Sequence, residues 1–242
     1  MGSKFYLTTF LLLSLFGNCQ VSSTKLKITP LTGNFYIFTT WRNYKGTPVS
    51  SHGLYLVTKE GVAMIDTPWD TTQFQPLLDS IELRHKQKVV LCIATHSHED
   101  RTAGLEYYAS KGIKTFTSQM TDEICVAKKE KRAQFHFKSD TTFKIAQYTF
   151  QAYYAGKAHT SDNIFIWFGA DKILYGGCAI KSTEATDLGN IADADLKEWP
   201  TTLNSVKKNF PSPKFIIPGH QSWSSRESLN HTLQLLKRKK GL

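Results

Sequence analysis

Residues 89–101 read VVLCIATHSHEDR and hold the most informative pattern in the chain. The apolar run at 89–94 is short and rich in β-branched residues, which predicts a buried strand. His96, His98 and Asp100 follow at alternate positions, so in an extended segment their side chains share one side. Imidazole and carboxylate groups suit zinc, and loops at strand ends commonly carry functional groups. The pattern therefore indicates a metal site at the end of a buried strand.

The sequence on both sides of this segment predicts alternating strands and helices. Strands are predicted at 34–38, 53–57, 62–66, 113–118, 141–155 (a pair), 163–168, 172–177 and 215–219. Helical spacing of apolar residues predicts helices at 70–86, 102–111, 120–132, 195–209 and 224–240. This order favours an α/β fold in which two sheets pack face to face with helices outside, a four-layer αβ/βα sandwich.

Three further metal-ligating residues are predicted at strand ends. His159 lies in AGKAHTSDN between two strands, Cys178 follows ILYGG, and His220 follows FIIPG. Taken singly, each is better interpreted as a surface histidine or a core cysteine. Together with His96, His98 and Asp100 they place six ligand groups on what can be one rim of the sandwich.

The segment from Trp41 to Ser51, WRNYKGTPVSS, is predicted to be a loop between two strands. Long loops with aromatic residues often act as binding flaps, whereas a disordered hairpin tip is the alternative. Trp41, Tyr44 and Trp69 are the aromatic residues expected to line a substrate groove.

The N-terminus is typical of an export signal at residues 1–23, with the cleavage site left open. Lys4 precedes an apolar stretch from Phe5 to Phe16 that is too short to span a bilayer. Cys19 offers an alternative, attachment of a lipid. We expect a periplasmic protein, anchored to a membrane only if Cys19 is acylated, with a single catalytic domain at 24–242 and a monomeric state.

The chain of 242 residues has a net charge of +10 and a pI near 9.4. A basic surface of this kind allows an anionic small molecule or a nucleic acid as partner, but it is also common in soluble proteins.

Cys92 and Cys125 lie in apolar or helical segments and are predicted to be core residues.

The ordered motifs HSHEDR, KAHT, GGC and PGH resemble those of the metallo-β-lactamases, from about Leu31 to Leu236. The resemblance is to the subclass with a three-histidine zinc site and an Asp-Cys-His zinc site, and so with two zinc ions per chain. It implies that one zinc is bound by His96, His98 and His159, and the other by Asp100, Cys178 and His220.

The same resemblance assigns further roles. Lys181 would bind the substrate carboxylate, Asn190 would approach the lactam carbonyl, and Asp100 would help to orient the nucleophile. Asp66 and Arg101 would support the zinc ligands, and Trp41 and Trp69 would contact the substrate. The implied function is zinc-dependent hydrolysis of the β-lactam ring of penicillins, cephalosporins and carbapenems, which confers antibiotic resistance.

Two residues discriminate between branches of this superfamily. Branches that act on phosphodiesters or thioesters usually carry a histidine where Arg101 stands and an aspartate where Cys178 stands. Both differences argue against those substrates and against a nucleic-acid partner, although a phosphodiester or thioester hydrolase remains the alternative.

A structural zinc module is a further alternative, but two groups of three ligands leave room for water, unlike closed structural sites.

The sequence also departs from the family at Lys157 and Ala158, where a glycine usually precedes the histidine. This departure affects loop shape and substrate range rather than metal binding.

Overall fold

The computed structural model of the chain describes residue 1, residues 25–138 and residues 140–240. The predicted export signal, including Cys19, lies outside the described residues except for Met1. Within the described ranges, no helix combines the length and hydropathy needed to cross a bilayer.

The first sheet contains seven strands that are neighbours in chain order. They are β1 (Leu26–Thr32), β2 (Phe35–Tyr44), β3 (Thr47–Thr58), β4 (Gly61–Ile65), β5 (Val89–Ile93), β6 (Lys114–Ser118) and β7 (Phe135–Phe137). Strands β1–β4 pair antiparallel, and β4–β7 pair parallel. Every residue of β4 is buried, as expected for an apolar strand that is covered on both faces.

The second sheet has five strands. They are β8 (Thr141–Ile145), β9 (Tyr148–Tyr153), β10 (Phe165–Phe168), β11 (Ile173–Gly177) and β12 (Phe215–Pro218), in the order β12-β11-β10-β9-β8. Only β11 and β12 pair parallel. Their carboxyl ends therefore lie side by side at one edge of the sheet.

Six α-helices complete the described fold: α1 (Phe74–His85), α2 (Glu99–Thr102), α3 (Leu105–Ser110), α4 (Gln119–Lys128), α5 (Trp199–Asn209) and α6 (Ser228–Lys240). The helix predicted at 102–111 is the shorter α3, whereas α2 occupies the end of the HSHED segment that was expected to be extended, so Asp100 is helical. The helix predicted at 195–209 begins at Trp199, because the Asp195 carboxylate accepts the N–H groups of Lys197 and Glu198 in a turn.

Three apolar layers hold the sandwich together. Phe35, Phe150 and Ile217 belong to the layer between the sheets. Leu77, in α1, belongs to a second layer on the outer face of the first sheet, and Trp199, in α5, to a third on the outer face of the second sheet. The predicted four-layer αβ/βα sandwich is therefore confirmed.

The segment predicted as a loop, Trp41–Ser51, is a β-hairpin. Strands β2 and β3 stay paired out to Tyr44 and Thr47. Lys45 and Gly46 form the turn with φ of 50° and 84°, and positive φ at both central residues is typical of tight hairpins. The two strands thus extend beyond the body of the sheet.

Candidate metal centre

The predicted metal ligands meet where strand ends from both sheets converge. His96 lies three residues beyond β5 in the first sheet. In the second sheet, Cys178 directly follows β11 and His220 lies two residues beyond β12. His159 comes from the loop between β9 and β10. The cluster therefore joins the two halves of the sandwich.

His96, His98 and His159 form the first group, here called the three-histidine site. Their ring centroids lie 5.0–5.2 Å apart, and their candidate ligand atoms lie within 4.8 Å of one another. His159 Nε2 and His98 Nδ1 are 3.2 Å apart. The three rings therefore converge on one point.

Asp100, Cys178 and His220 form the second group, here called the Cys178 site. Cys178 Sγ lies 3.5 Å from Asp100 Oδ2 and 3.2 Å from His220 Nε2. His220 Nε2 is 3.3 Å from Asp100 Oδ2, which closes the triangle. His96, Asp100 and Cys178 also place ligand atoms within 4.8 Å of one another, so the two sites adjoin.

Hydrogen bonds orient two of the histidines. His220 Nδ1 lies 2.6 Å from the carbonyl oxygen of Ser50, and since a carbonyl only accepts, this nitrogen carries the proton. His98 Nε2 lies 2.8 Å from Asp193 Oδ2, which holds a proton there in the same way. The nitrogen facing the cluster is His220 Nε2 in one ring and His98 Nδ1 in the other.

The electrostatics of the cluster favour a bound cation. Burial lowers the pKa of His96 and His159 well below the usual value, so both rings are neutral and able to act as ligands. Burial opposes ionisation of Asp100, but the Arg101 guanidinium outweighs it and holds the pKa well below the usual range. Burial also acts against the charged form of His220, yet Cys178 and Asp100 raise its pKa to about 9, so near pH 7 its Nε2 carries a proton that a bound metal ion would replace.

Arg101 lies beneath the Cys178 site and is fully buried. Its guanidinium donates to Cys178 Sγ at 3.0 Å and lies 2.8 Å from Asp100 Oδ2. Its other terminal nitrogen is 3.3 Å from Asp66 Oδ2. The Asp66 carboxylate in turn accepts the Thr95 N–H at 2.7 Å, which fixes the start of the segment that carries His96.

Gly219 lies directly against Arg101 and Cys178. A Cβ atom there would lie 2.7 Å from the Arg101 guanidinium and 2.9 Å from Cys178 Sγ. A larger residue would therefore displace the thiol or the cation, so the glycine of PGH is a steric requirement of the site.

A groove of about 780 Å³ opens above the cluster. The predicted substrate-binding residues Trp41, Trp69, Lys181 and Asn190 line it, together with Tyr44. Asp100, His98, His159 and His220 form part of the same surface. Four of the six predicted metal ligands thus line one cavity, whereas His96 and Cys178 are buried and do not line it, as are Asp66 and Arg101.

Sequence reasoning missed two carboxylates that orient this site. Asp162 accepts the Ser97 N–H at 2.8 Å and so ties the His159 loop to the HSHED segment. Asp193 contacts His98 and also pairs with Lys128 at 2.7 Å. Asp162 lies in the quoted segment AGKAHTSDN, and Asp193 lies three residues after Asn190, but neither sequence pattern specifies its partner.

The donor set fits zinc. His96 Nε2 is buried without a hydrogen-bond partner among the described residues, although such atoms are rarely left unsatisfied. Imidazole, thiolate and carboxylate donors are the groups that zinc prefers. Three protein donors at each site leave a position open for water, which is typical of catalytic rather than structural zinc.

Comparisons with known proteins agree with this geometry. Residues 46–220 match the family model of the metallo-beta-lactamase superfamily. The chain is 41% identical to a metallo-beta-lactamase type 2 of Elizabethkingia meningoseptica, over 88% of this chain and 85% of that one. It is 37% identical to metallo-beta-lactamase IND-1 of Chryseobacterium indologenes over 98% of each chain.

Solved structures support the same assignment. A metallo-beta-lactamase from Pontibacter korlensis aligns with a TM-score of 0.85 at 37% identity, covering 88% of this chain and 99% of that one. The metallo-beta-lactamase FIM-1 from Pseudomonas aeruginosa, solved in a mono-zinc form, aligns with a TM-score of 0.81 at 26% identity, covering 88% and 96%. The chain therefore belongs to the metallo-β-lactamase superfamily.

Proposed function

We propose that the chain hydrolyses the β-lactam ring of antibiotics with two zinc ions, and that this activity confers resistance. The observation that carries the proposal is the pair of adjoining three-donor sites, which reach one groove through His98, His159, Asp100 and His220. The relatives named metallo-beta-lactamase, at 41% and 37% identity, support the choice of substrate.

The three-histidine site would hold one zinc ion and the Cys178 site the other. When bound, zinc lowers the pKa of a coordinated water toward about 7 and so supplies a nucleophile for the lactam carbonyl at neutral pH. Asp100 reaches both the groove and the Cys178 site, and its ionised carboxylate can orient the nucleophile by accepting a hydrogen bond.

Lys181 would recognise the substrate carboxylate. Its ammonium group lies 5.3 Å from the centre of the Trp199 ring, a cation–π contact that holds it against the groove wall. Burial lowers the pKa of this lysine, but the nearby Cys178 and Asp100 act in the opposite direction. An ion pair here would fix the carboxylate side of the substrate in the groove.

Asn190 would bind the lactam carbonyl oxygen as charge develops on it. Its side-chain oxygen accepts the Ala192 N–H at 3.2 Å, which directs the amide group. The NH₂ is then available to donate to the substrate, as expected for a group that stabilises an oxyanion. Trp41, Trp69 and Tyr44 would supply an apolar wall for the substituents of the antibiotic.

The proposal extends to the whole chain. Residues 1–23 would direct export to the periplasm, with lipid attachment at Cys19 as the alternative, and residues 24–242 would form one monomeric catalytic domain. The mass of the mature protein purified from the periplasm separates cleavage after residue 23 from acylation at Cys19.

Hydrolysis of imipenem by the purified protein tests the function. We expect turnover with zinc present, loss of turnover after treatment with a chelator, and recovery when zinc is restored. Full activity of metal-free protein would contradict the proposal. So would turnover of a phosphodiester or thioester by a protein that leaves every β-lactam intact.

A further inference from the structure

His52 is a buried histidine that has no part in the proposed chemistry. It lies in β3, is 4% exposed, and pairs directly with Thr39 of β2 in the strand ladder. Its Nδ1 is 2.9 Å from the Thr39 hydroxyl, and its Nε2 contacts the carbonyl oxygen of Gln221. Both ring nitrogens are therefore engaged.

The direction of these two hydrogen bonds can be assigned. The Gln221 carbonyl only accepts, so His52 Nε2 must carry the proton. Nδ1 of the neutral ring is then an acceptor, and Thr39 must donate to it. Burial lowers the pKa of His52 to about 4, so the ring is neutral near pH 7. The Thr39 hydroxyl thus selects the tautomer that donates to Gln221.

The far end of this chain of hydrogen bonds is a strained turn next to a metal ligand. Gln221 has φ of 61°, a left-handed conformation that a residue other than glycine adopts only when its surroundings enforce it. It directly follows His220. The strand β3 holds this turn at three consecutive residues, because His52 N donates to Gly219 O, His220 Nδ1 to Ser50 O, and Gln221 N to Ser50 Oγ.

We propose that Thr39 and His52 are positioning residues of the Cys178 site, which hold the Gln221 turn so that His220 Nε2 faces Cys178 and Asp100. The inference rests on the metal assignment within the proposed function. It is specific to one site, because the three-histidine site is oriented by Asp162 and Asp193, which lie on other loops.

Substitutions at Thr39 test this role with little change in volume. Thr39→Val removes the donor and keeps the branched shape that suits a strand. Thr39→Ser keeps the donor. Thr40→Val is a matched control, since Thr40 is the next residue of β2, is fully buried, and has a hydroxyl without a hydrogen-bond partner among the described residues.

The readout is cobalt binding to the metal-free protein, followed by absorption. A thiolate-to-cobalt charge-transfer band reports the Cys178 site alone, whereas the ligand-field bands report both sites. We expect Thr39→Val to weaken binding at the Cys178 site about tenfold, as is typical when a group that orients a ligand is lost. Thr39→Ser and Thr40→Val should stay within about twofold of the unsubstituted protein.

Two results would overturn the inference. One is equal behaviour of Thr39→Val and Thr40→Val; the other is equal weakening of both metal sites, which marks a general structural effect. If Thr39→Val does not fold, Thr39→Ala must show the selective loss instead. The measurement needs no β-lactam turnover, so cobalt binding by a protein inert to β-lactams would refute the proposed function and leave this inference standing.

Discussion

Arg101 is a fully buried cation whose charge is balanced by Asp66 and Asp100. We expect Arg101→Met to lower the free energy of unfolding of the metal-free protein by about 3–5 kcal/mol, because two buried carboxylates lose their counter-charge. Urea unfolding measures this change. Arg84→Ala, at an exposed position, should change the free energy by no more than about 0.5 kcal/mol. If Arg101→Met also changed the free energy of unfolding by no more than about 0.5 kcal/mol, the buried carboxylates would not depend on the Arg101 charge for stability.

The positive charge of Lys181 is expected to contribute to substrate binding. We expect Lys181→Ala to raise KM for imipenem about 10- to 100-fold with a smaller effect on kcat, since an ion pair to the substrate carboxylate stabilises ground and transition states alike. Steady-state kinetics separates the two constants, and Lys181→Arg should recover part of the affinity. A fall in kcat with unchanged KM would assign the lysine another role.

The same residue predicts a pH dependence. Because burial lowers the pKa of Lys181 below its ordinary value of 10.5, the ammonium group deprotonates earlier than a free lysine does as the pH rises. KM for a carboxylate-bearing β-lactam should therefore increase on the alkaline side below pH 10.5. In Lys181→Arg this increase should disappear, because a guanidinium keeps its charge.

At the residue scale, the sequence predicted donors better than the groups that orient them. His96 and His98 are recognisable from alternation at a strand end, and Arg101 and Cys178 from their motifs. Asp100 was expected in the same extended segment but lies in α2. His52, Asp162 and Asp193 are not, because the groups that they hold at the site (Gln221, Ser97 and His98) lie 65–169 residues away in sequence and only the fold brings them together. A buried polar partner is specified by three-dimensional position rather than by local pattern.

At the scale of elements, the hairpin β2–β3 shows where local pattern reasoning fails. Its outer half lacks the alternation of apolar residues that marks a half-buried strand, so it was predicted as a loop. The side chains of this outer half contact residues outside the hairpin. Arg42 pairs with Glu99 at 2.6 Å and lies 5.3 Å from the centre of the Trp69 ring, and Tyr44 packs on the same ring.

The Arg42–Glu99 pair therefore connects the hairpin to the segment that carries His98 and Asp100. We expect Glu99→Gln to increase hydrogen exchange of the hairpin amides near Tyr44 and Thr47 and to raise KM a few-fold. Global stability should fall by no more than about 1 kcal/mol, since the side chains are 39% and 44% exposed.

The exposed pair formed by Lys131 and Glu106 is the matched control for this effect. Glu106→Gln should leave exchange in the hairpin unchanged. Exchange that responds equally to both substitutions would argue against a specific connection, whereas recovery in a charge-swapped Arg42→Glu, Glu99→Arg protein would support it.

At the scale of the whole molecule, each metal site takes donors from both halves of the sandwich. In the three-histidine site, His96 and His98 come after β5 of the first sheet, and His159 lies between β9 and β10 of the second. In the Cys178 site, Asp100 comes after β5 of the first sheet, and Cys178 and His220 come after β11 and β12 of the second. That the six donors lie together on one rim could be predicted from strand ends. Their division into two sites came only from the resemblance to the family, because it depends on how the two sheets pack.

Metal ions at these positions would join the two sheets, so their removal should weaken the entire fold. A ligand that binds only the folded state stabilises it by about 4 kcal/mol when present at 1,000 times its Kd. We expect zinc at that excess to raise the Tm in thermal unfolding, and a chelator to reverse the effect. Cys178→Ser should lose most of the contribution of one site, while calcium, which prefers oxygen ligands, should have little effect. An unchanged Tm in the presence of zinc would contradict the proposal that the six donors form two zinc sites in the folded protein.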